Sequence, residues 1–339
     1  MKKTFLLASI LSVGAMATNP LIKQATDAGL KPLPKSEAEI LKLVDNSKNP
    51  ITKEKIELGK KLYFDPRLSK SGLISCNTCH NLALGGVDGV EAAIGHKWTA
   101  NPHHLNSPTV YNSVFNQRQF WDGRSPDLED QAQGPIQATP EMAAPKELIV
   151  GRINSIPQYV SEFKEAYGKD VKIDFKKIAD TIATFERTLV TPSRYDNFLS
   201  GDEKSLTKEE QEGLKLFIDK GCASCHTGVA LGGGMQVFDA NKKYKYKDVG
   251  DFKGDKNGMV KVPTLRNIEE TAPYYHNGKI WSLKEAVKEM GTTQLSMKIS
   301  DNDAEKIVTF LKSLTGKKPN VQYPVLPPST QNTAKPDVK

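Results

Sequence analysis

The sequence predicts an all-α protein of two similar helical domains, and three observations carry that prediction. A stretch at 52–65 recurs at 207–219, each copy runs into a Cys-x-x-Cys-His motif, and each unit closes on an amphipathic helix. Strand patterns are few, and the loops between these landmarks are long and rich in Gly, Pro and Asn.

At the start, Lys2 and Lys3 precede an apolar run from Phe5 to Val13 and then Ala15-Met16-Ala17. That is the pattern of a secretory signal peptide with an A-x-A cleavage site, so residues 1–17 are expected to be removed and the exported chain to begin near Thr18. The apolar run is well short of the ~20 residues that span a bilayer, and no later stretch approaches that length. The remaining chain is long enough for two domains with separate cores.

The repeated unit comes next. "TKEKIELGKKLYFD" and "TKEEQEGLKLFID" align with a single one-residue gap, which marks one structural unit used twice. Thr207 with Glu210 forms a capping box, and Gly221 ends that helix just before Cys222. The closing helices are "FKKIADTIATFERTL" at 175–189 and "DNDAEKIVTFLKSLTG" at 301–316. The expected limits are therefore 18–190 and 191–316, with 317–339 packing back on the first domain.

All four cysteines fall in two C-x-x-C pairs, Cys76/Cys79 and Cys222/Cys225, followed at once by His80 and His226. Disulfides in an exported protein do not need the adjacent histidine. A zinc site would have to join pairs separated by 143 residues and would leave the histidines as coincidence. A thioredoxin-type dithiol needs a preceding strand, whereas helical patterns precede both motifs. Covalent haem explains every member: the thiols add to the haem vinyl groups, and the turn between them brings the histidine under the iron. Two haem c groups would also give the long loops a body to pack on. Helix, haem motif, ligand-bearing loop and closing helix make the plan of a cytochrome c domain.

Net charge is +7, or +5 without Lys2 and Lys3, and it is spread too evenly to suggest nucleic acid. The densest cluster, "KKYKYK" at 242–247, reads as a solvated loop with a minor role in docking a charged partner.

Function in a haem protein depends on the sixth ligand, and four histidines remain: His96, His103, His104 and His276. His96 sits in a loop, "AIGHKW", 16 residues beyond His80. Met290 completes an i, i+3, i+4, i+7 stripe with Leu283, Ala286 and Val287, a pattern that equally describes a helix core. Met235, Met259 and Met297 compete with it on spacing, so residue pattern alone leaves both sixth ligands open.

Taken whole, the chain resembles the bacterial di-haem cytochrome c peroxidases. The residues that carry the resemblance are "LGKKLYFDPRLS", "SCNTCHNLALGGVD", "GHKW", "NSPTVYNSVFN", "FWDGR", "DLEDQAQGPIQ", "CASCHTG", "PTLRN", "TAPYYHNG" and "EMGTTQL", in that order. It implies two cytochrome c domains with a calcium ion between them, in the periplasm and as a homodimer. The reaction implied is reduction of hydrogen peroxide to water with electrons from a small c-type cytochrome or similar donor.

Position by position, the resemblance makes the Cys76/Cys79/His80 haem the low-potential, peroxidatic one, with His96 capping its iron in the resting oxidised enzyme. The Cys222/Cys225/His226 haem is the high-potential, electron-accepting one, with Met290 as its sixth ligand. Trp121 lies between the haems as an electronic coupler, and Glu141, with Gln131 beside it, handles the peroxide protons. Calcium is assigned to the Asn106 side chain and the carbonyls of Thr271 and Pro273, donors that suit a hard cation. Residue pattern alone reads Glu141 as a first-turn helix carboxylate and Asn106 as an Asx-turn.

One departure is the "TANPHHL" segment, about two residues longer than the family pattern, which adds His103 and His104. They read as surface residues, placed where either could substitute for His96. His276 fits the family motif as a residue ordering the haem environment. The alternative to a peroxidase is a di-haem electron-transfer protein, against which Gln131 and Glu141 speak. A relative that oxidises a partner's side chain carries tyrosine where Met290 stands.

Overall fold

The computed structural model describes residues 19–238 and 243–338, so the expected leader and the first residue of the basic run at 242–247 lie outside the described residues. The first half carries α1 (Pro20–Asp27), α2 (Glu37–Val44), α3 (Lys53–Phe64), α4 (Cys76–Cys79), α5 (Leu128–Gln131), α6 (Gln133–Gln137), α7 (Lys146–Asn154), α8 (Pro157–Tyr167) and α9 (Phe175–Glu186). The second carries α10 (Arg194–Leu199), α11 (Lys208–Asp219), α12 (Leu283–Leu295) and α13 (Asp301–Lys312). Among the described residues the only sheet is the antiparallel pair β1 (Met235–Val237) and β2 (Met259–Lys261). The protein is thus mostly helical, as its pattern predicts.

The duplicated stretch becomes two equivalent helix pairs. Thr52 caps α3 by accepting from the Lys55 N–H, and Thr207 with Glu210 closes a full capping box on α11, satisfying amides that no helical carbonyl can reach. α3 crosses α9 and α11 crosses α13. Each crossing turns on a glycine of the repeat: a Cβ on Gly59 would lie 2.2 Å from the Thr181 carbonyl, and one on Gly213 2.1 Å from the Lys306 carbonyl. Only a residue without a side chain lets the backbones approach so closely.

Two main cores follow. Leu58, Leu62, Tyr63, Ile149, Phe163, Ile178 and Ile182 belong to the first, and Tyr195, Phe198, Leu214, Phe217, Ile307 and Phe310 to the second. The expected division at residue 190 falls between these cores, but the chain does not respect it at its ends. Ala25 and Leu30, from the first 13 residues of the expected first domain, are part of the second core. Leu30 bridges to Gly228, and the Leu33 N–H donates to Asp196 at 2.8 Å. The physical reason is that α1 is short and amphipathic and finds its apolar partner on α10 and α11.

The tail runs the other way. Arg152, buried in the first domain, donates to the carbonyls of Ala334 (3.1 Å) and Lys335 (2.9 Å). Arg67 donates to Pro327 at 2.8 Å, and Tyr323 packs on Phe64.

Candidate functional site

Each Cys-x-x-Cys-His motif opens onto its own cavity. Cys76, Cys79 and His80 line one, together with Ile136, Met142 and Ile182; Cys222, Cys225 and His226 line the other, together with Leu283, Ala286, Val287 and Met290. The apolar stripe of α12 thus faces a cavity and not only a helix core. The two motifs share no lining cysteine or proximal histidine, and among the described residues no three His, Cys, Asp or Glu side chains converge on a metal site. A joint zinc site is therefore excluded within that region. A redox dithiol fits no better: burial pushes the Cys79 thiol up to about 12 and the Cys222 thiol up to about 11, whereas redox pairs depend on a depressed value.

Both motif histidines are held in an orientation that suits an iron ligand. His80 Nδ1 lies 2.9 Å from the Pro108 carbonyl and His226 Nδ1 3.0 Å from that of Leu231. With the proton held on Nδ1 by these carbonyls, Nε2 keeps its lone pair for iron. Burial lowers both imidazoles below their ordinary value, which keeps them neutral. Thioether-forming cysteines, an oriented imidazole and an apolar enclosure therefore fit haem c at both positions.

The first cavity also receives Gln131, Glu141, Arg124 and Glu186. Burial holds the Glu141 carboxyl above the usual carboxylate range, partly offset by the Arg124 guanidinium. Glu186, at the end of α9, is 6 % exposed, has an oxygen without a hydrogen-bond partner, and is pushed by burial up to about 8.

His96 is buried, with its Nδ1 unpartnered, in a 3-10 turn where Lys97 and Trp98 both take positive φ, but it is not among the residues that line the first cavity. Its backbone N–H donates to the Glu141 carbonyl at 2.7 Å. A Cβ on the preceding Gly95 would lie 2.1 Å from the Pro140 carbonyl, so the histidine loop and the Glu141 segment lie back to back.

His103 does reach the lining of the first cavity and pairs with Asp251 at 2.9 Å, whereas His104 stands 3.7 Å from Glu91. His276 is enclosed by Trp121, Phe238, Tyr244 and Phe252 and lines the second cavity. Burial pushes it down to about 4.

The wall between the cavities is thin. Trp121, Asn106 and Lys261 line both. The Trp121 indole donates to the Asn106 carbonyl at 2.9 Å, the Asn106 amide nitrogen donates to Val90 at 2.8 Å, and the Asn106 backbone N–H donates to His276 at 2.8 Å. The bond to Val90 leaves Asn106 Oδ1 as an acceptor, and Thr271 and Pro273 line the same cavity.

Sequence reasoning missed Glu186 and Lys261. Glu186 had a signal: it continues the buried stripe Phe175, Ile178, Ala179, Ile182, Ala183 of α9, so a carboxylate stands at a core position. Lys261, the last residue of a three-residue strand and flanked in sequence by Val260 and Val262, offered none.

Fold and site together define a c-type cytochrome with two haem sites. Residues 53–204 match the di-haem cytochrome c peroxidase family and 210–315 the cytochrome c family. The chain is 43% identical to the cytochrome c551 peroxidase of Pseudomonas aeruginosa, over 95% of this chain and 94% of that protein. It is 47% identical to that of Nitrosomonas europaea, over 84% and 86%. A crystal structure of a MauG-like protein associated with microbial copper homeostasis superposes with a TM-score of 0.69 at 27% identity, covering 80% of this chain and 92% of that one. The chain belongs to the di-haem cytochrome c peroxidase family.

Proposed function

We propose that this peroxidase reduces hydrogen peroxide in the first cavity with electrons that a small c-type cytochrome delivers to the second haem. The observation that carries the reading is that Glu141 and Gln131 line the same cavity as His80. His80, and in the resting state His96, would hold the first iron; His226 and Met290 would hold the second. When bound, the haems supply the iron chemistry that splits the O–O bond and the electrons that complete the reduction.

The protein's part is proton handling and gating. Glu141 accepts a proton from the incoming peroxide and returns it to the departing oxygen, a shuttle favoured by a carboxyl whose proton affinity burial has raised. The Gln131 amide orients the peroxide beside it. Trp121, on both cavity walls, couples the two sites. Release of His96 is supported by its place outside the cavity lining and by the strained backbone at Lys97 and Trp98, since positive φ at such residues stores strain that a moving loop can release. Because His96 is bonded through its backbone to Glu141, its movement bears directly on the proton shuttle. Calcium at Asn106 Oδ1 and the Thr271 and Pro273 carbonyls would brace the Trp121 wall; the free Oδ1 supports this, with waters completing the oxygen shell. Periplasmic location and a homodimer follow from the same family resemblance.

The test is peroxide-dependent oxidation of a reduced c-type cytochrome by calcium-loaded holoprotein, fully oxidised against half-reduced. Turnover only after half-reduction is expected. Turnover in both states discards the His96 gate, and none in either points to a di-haem electron carrier. Glu141→Ala is expected to lower turnover by ~10²–10⁴ with both haem spectra intact; unchanged turnover removes Glu141 from the mechanism.

A further inference from the structure

Lys261 is 4 % exposed, yet among the described residues its ammonium makes neither an ion pair nor a hydrogen bond. Its backbone is fixed: on β2 it pairs in register with Met235, and its N–H donates to the Trp121 carbonyl at 2.8 Å. The carboxylate that attracts it, Asp122, is committed to Arg124 at 2.9 Å. Burial pushes the Lys261 amine down to about 8. With the rest of the side chain enclosed and no protein group among the described residues paired with it, the amine is left to the cavities it lines, and a cation so placed is completed by an anion that enters them.

The surroundings say which anion. Lys261 lines both haem cavities, and among the described residues it is the sole lysine or arginine lining the second, with no aspartate or glutamate beside it. A haem c brings two propionate carboxylates into its pocket, and among the described residues the second cavity offers them no other formal positive charge. We propose that Lys261 is the counter-ion of a propionate of the second haem and, from the wall that both cavities share, raises the reduction potential of both haems. A fixed positive charge stabilises the reduced iron, which carries one less positive charge than the oxidised form. The proposal rests on the two-haem reading, and not on peroxide turnover.

The experiment is spectroelectrochemical titration of wild type, Lys261→Met and Lys261→Arg holoproteins, with haem content measured first. Wild-type haem content and turnover test the two-haem peroxidase reading separately, so its failure would be recognised in the absence of any variant. A unit charge acting over ~10 Å at an effective dielectric of ~20 shifts a one-electron equilibrium about tenfold, or about 59 mV. Lys261→Met is expected to lower the second haem's midpoint by that amount and the first haem's in the same direction. Lys261→Arg is expected to keep both within threefold while shifting the propionate-bending bands in resonance Raman spectra, because the charge stays and the donor geometry changes. A fully loaded Lys261→Met protein with both midpoints unchanged overturns the proposal. If Lys261→Met does not load haem, the Raman comparison decides alone: shifted propionate bands in Lys261→Arg support the contact, and unshifted bands overturn it.

Discussion

Asp196 is the most consequential buried charge in the second domain. Its carboxylate takes two hydrogen bonds from the Arg266 guanidinium, at 2.7 and 2.9 Å, with the two side chains 2 % and 0 % exposed. It also accepts the Leu33 N–H at 2.8 Å, from the N-terminal arm, and the Ser193 N–H at 2.7 Å, at the start of α10. Asp196→Asn removes the charge but little volume, leaving Arg266 with the Val229 carbonyl as its remaining strong acceptor. Breaking one side of a buried pair costs roughly 3–5 kcal/mol because the surviving charge is stranded. For a domain of this size that corresponds to a fall of roughly 10 °C in melting temperature. The assay is calorimetry of the holoprotein, following the transition that carries the second haem's absorbance. Because the cost comes from the stranded guanidinium, Asp196→Asn with Arg266→Met should recover part of the loss, the amide oxygen keeping an acceptor for one of the two N–H groups, from Leu33 and Ser193, that the carboxylate serves. A loss below ~1 kcal/mol in the single variant would sink the argument, since it would mean that water or another anion already serves Arg266.

Two further outcomes concern packing and protons. Gly213→Ala should destabilise the second domain by about 1–3 kcal/mol despite alanine's better helix propensity, because its methyl meets the Lys306 carbonyl. Gly151→Ala in α7, where a Cβ meets nothing within 4 Å, should be neutral or stabilising; equal effects in chemical denaturation would refute the crossing-point reading. Glu186 has a folded-state pKa of about 8 against an ordinary 4.5, so between those values the folded protein keeps a proton that the unfolded chain has released. Stability should therefore decline as pH rises from about 4.5 and level off above about 8. Glu186→Gln should remove up to roughly 5 kcal/mol of that decline; parallel stability profiles for wild type and variant across pH 5–8 would refute it.

How much was legible depended on whether a residue's role was local. Thr207 and Glu210 and the two Cys-x-x-Cys-His motifs act on neighbours a few residues away, so spacing exposed them, whereas Gly59 and Gly213 went unremarked inside the repeat because the carbonyls they meet, of Thr181 and Lys306, belong to distant helices. The stripe Leu283, Ala286, Val287, Met290 was visible as a stripe, but whether it faced a helix or a cavity was a tertiary fact. The small sheet escaped because three-residue strands carry too little alternation to read. Lys261 escaped for the same reason, and its interest comes from two cavities whose walls are assembled from segments more than a hundred residues apart. The arm at 20–30 was assigned to the wrong core because sequence order is a poor guide to which neighbour a short amphipathic helix chooses.

That arm and the tail exchange places: residues 25–33 complete the second domain, and residues 323–335 fasten the first. In the order of synthesis, the helices that crowd the first haem motif emerge long before the strap that holds Arg67 and Arg152, and the opening arm must wait for a surface not yet made. Severing the chain near residue 190 would consequently yield not two small cytochromes but two unfinished ones, each carrying a piece of the other.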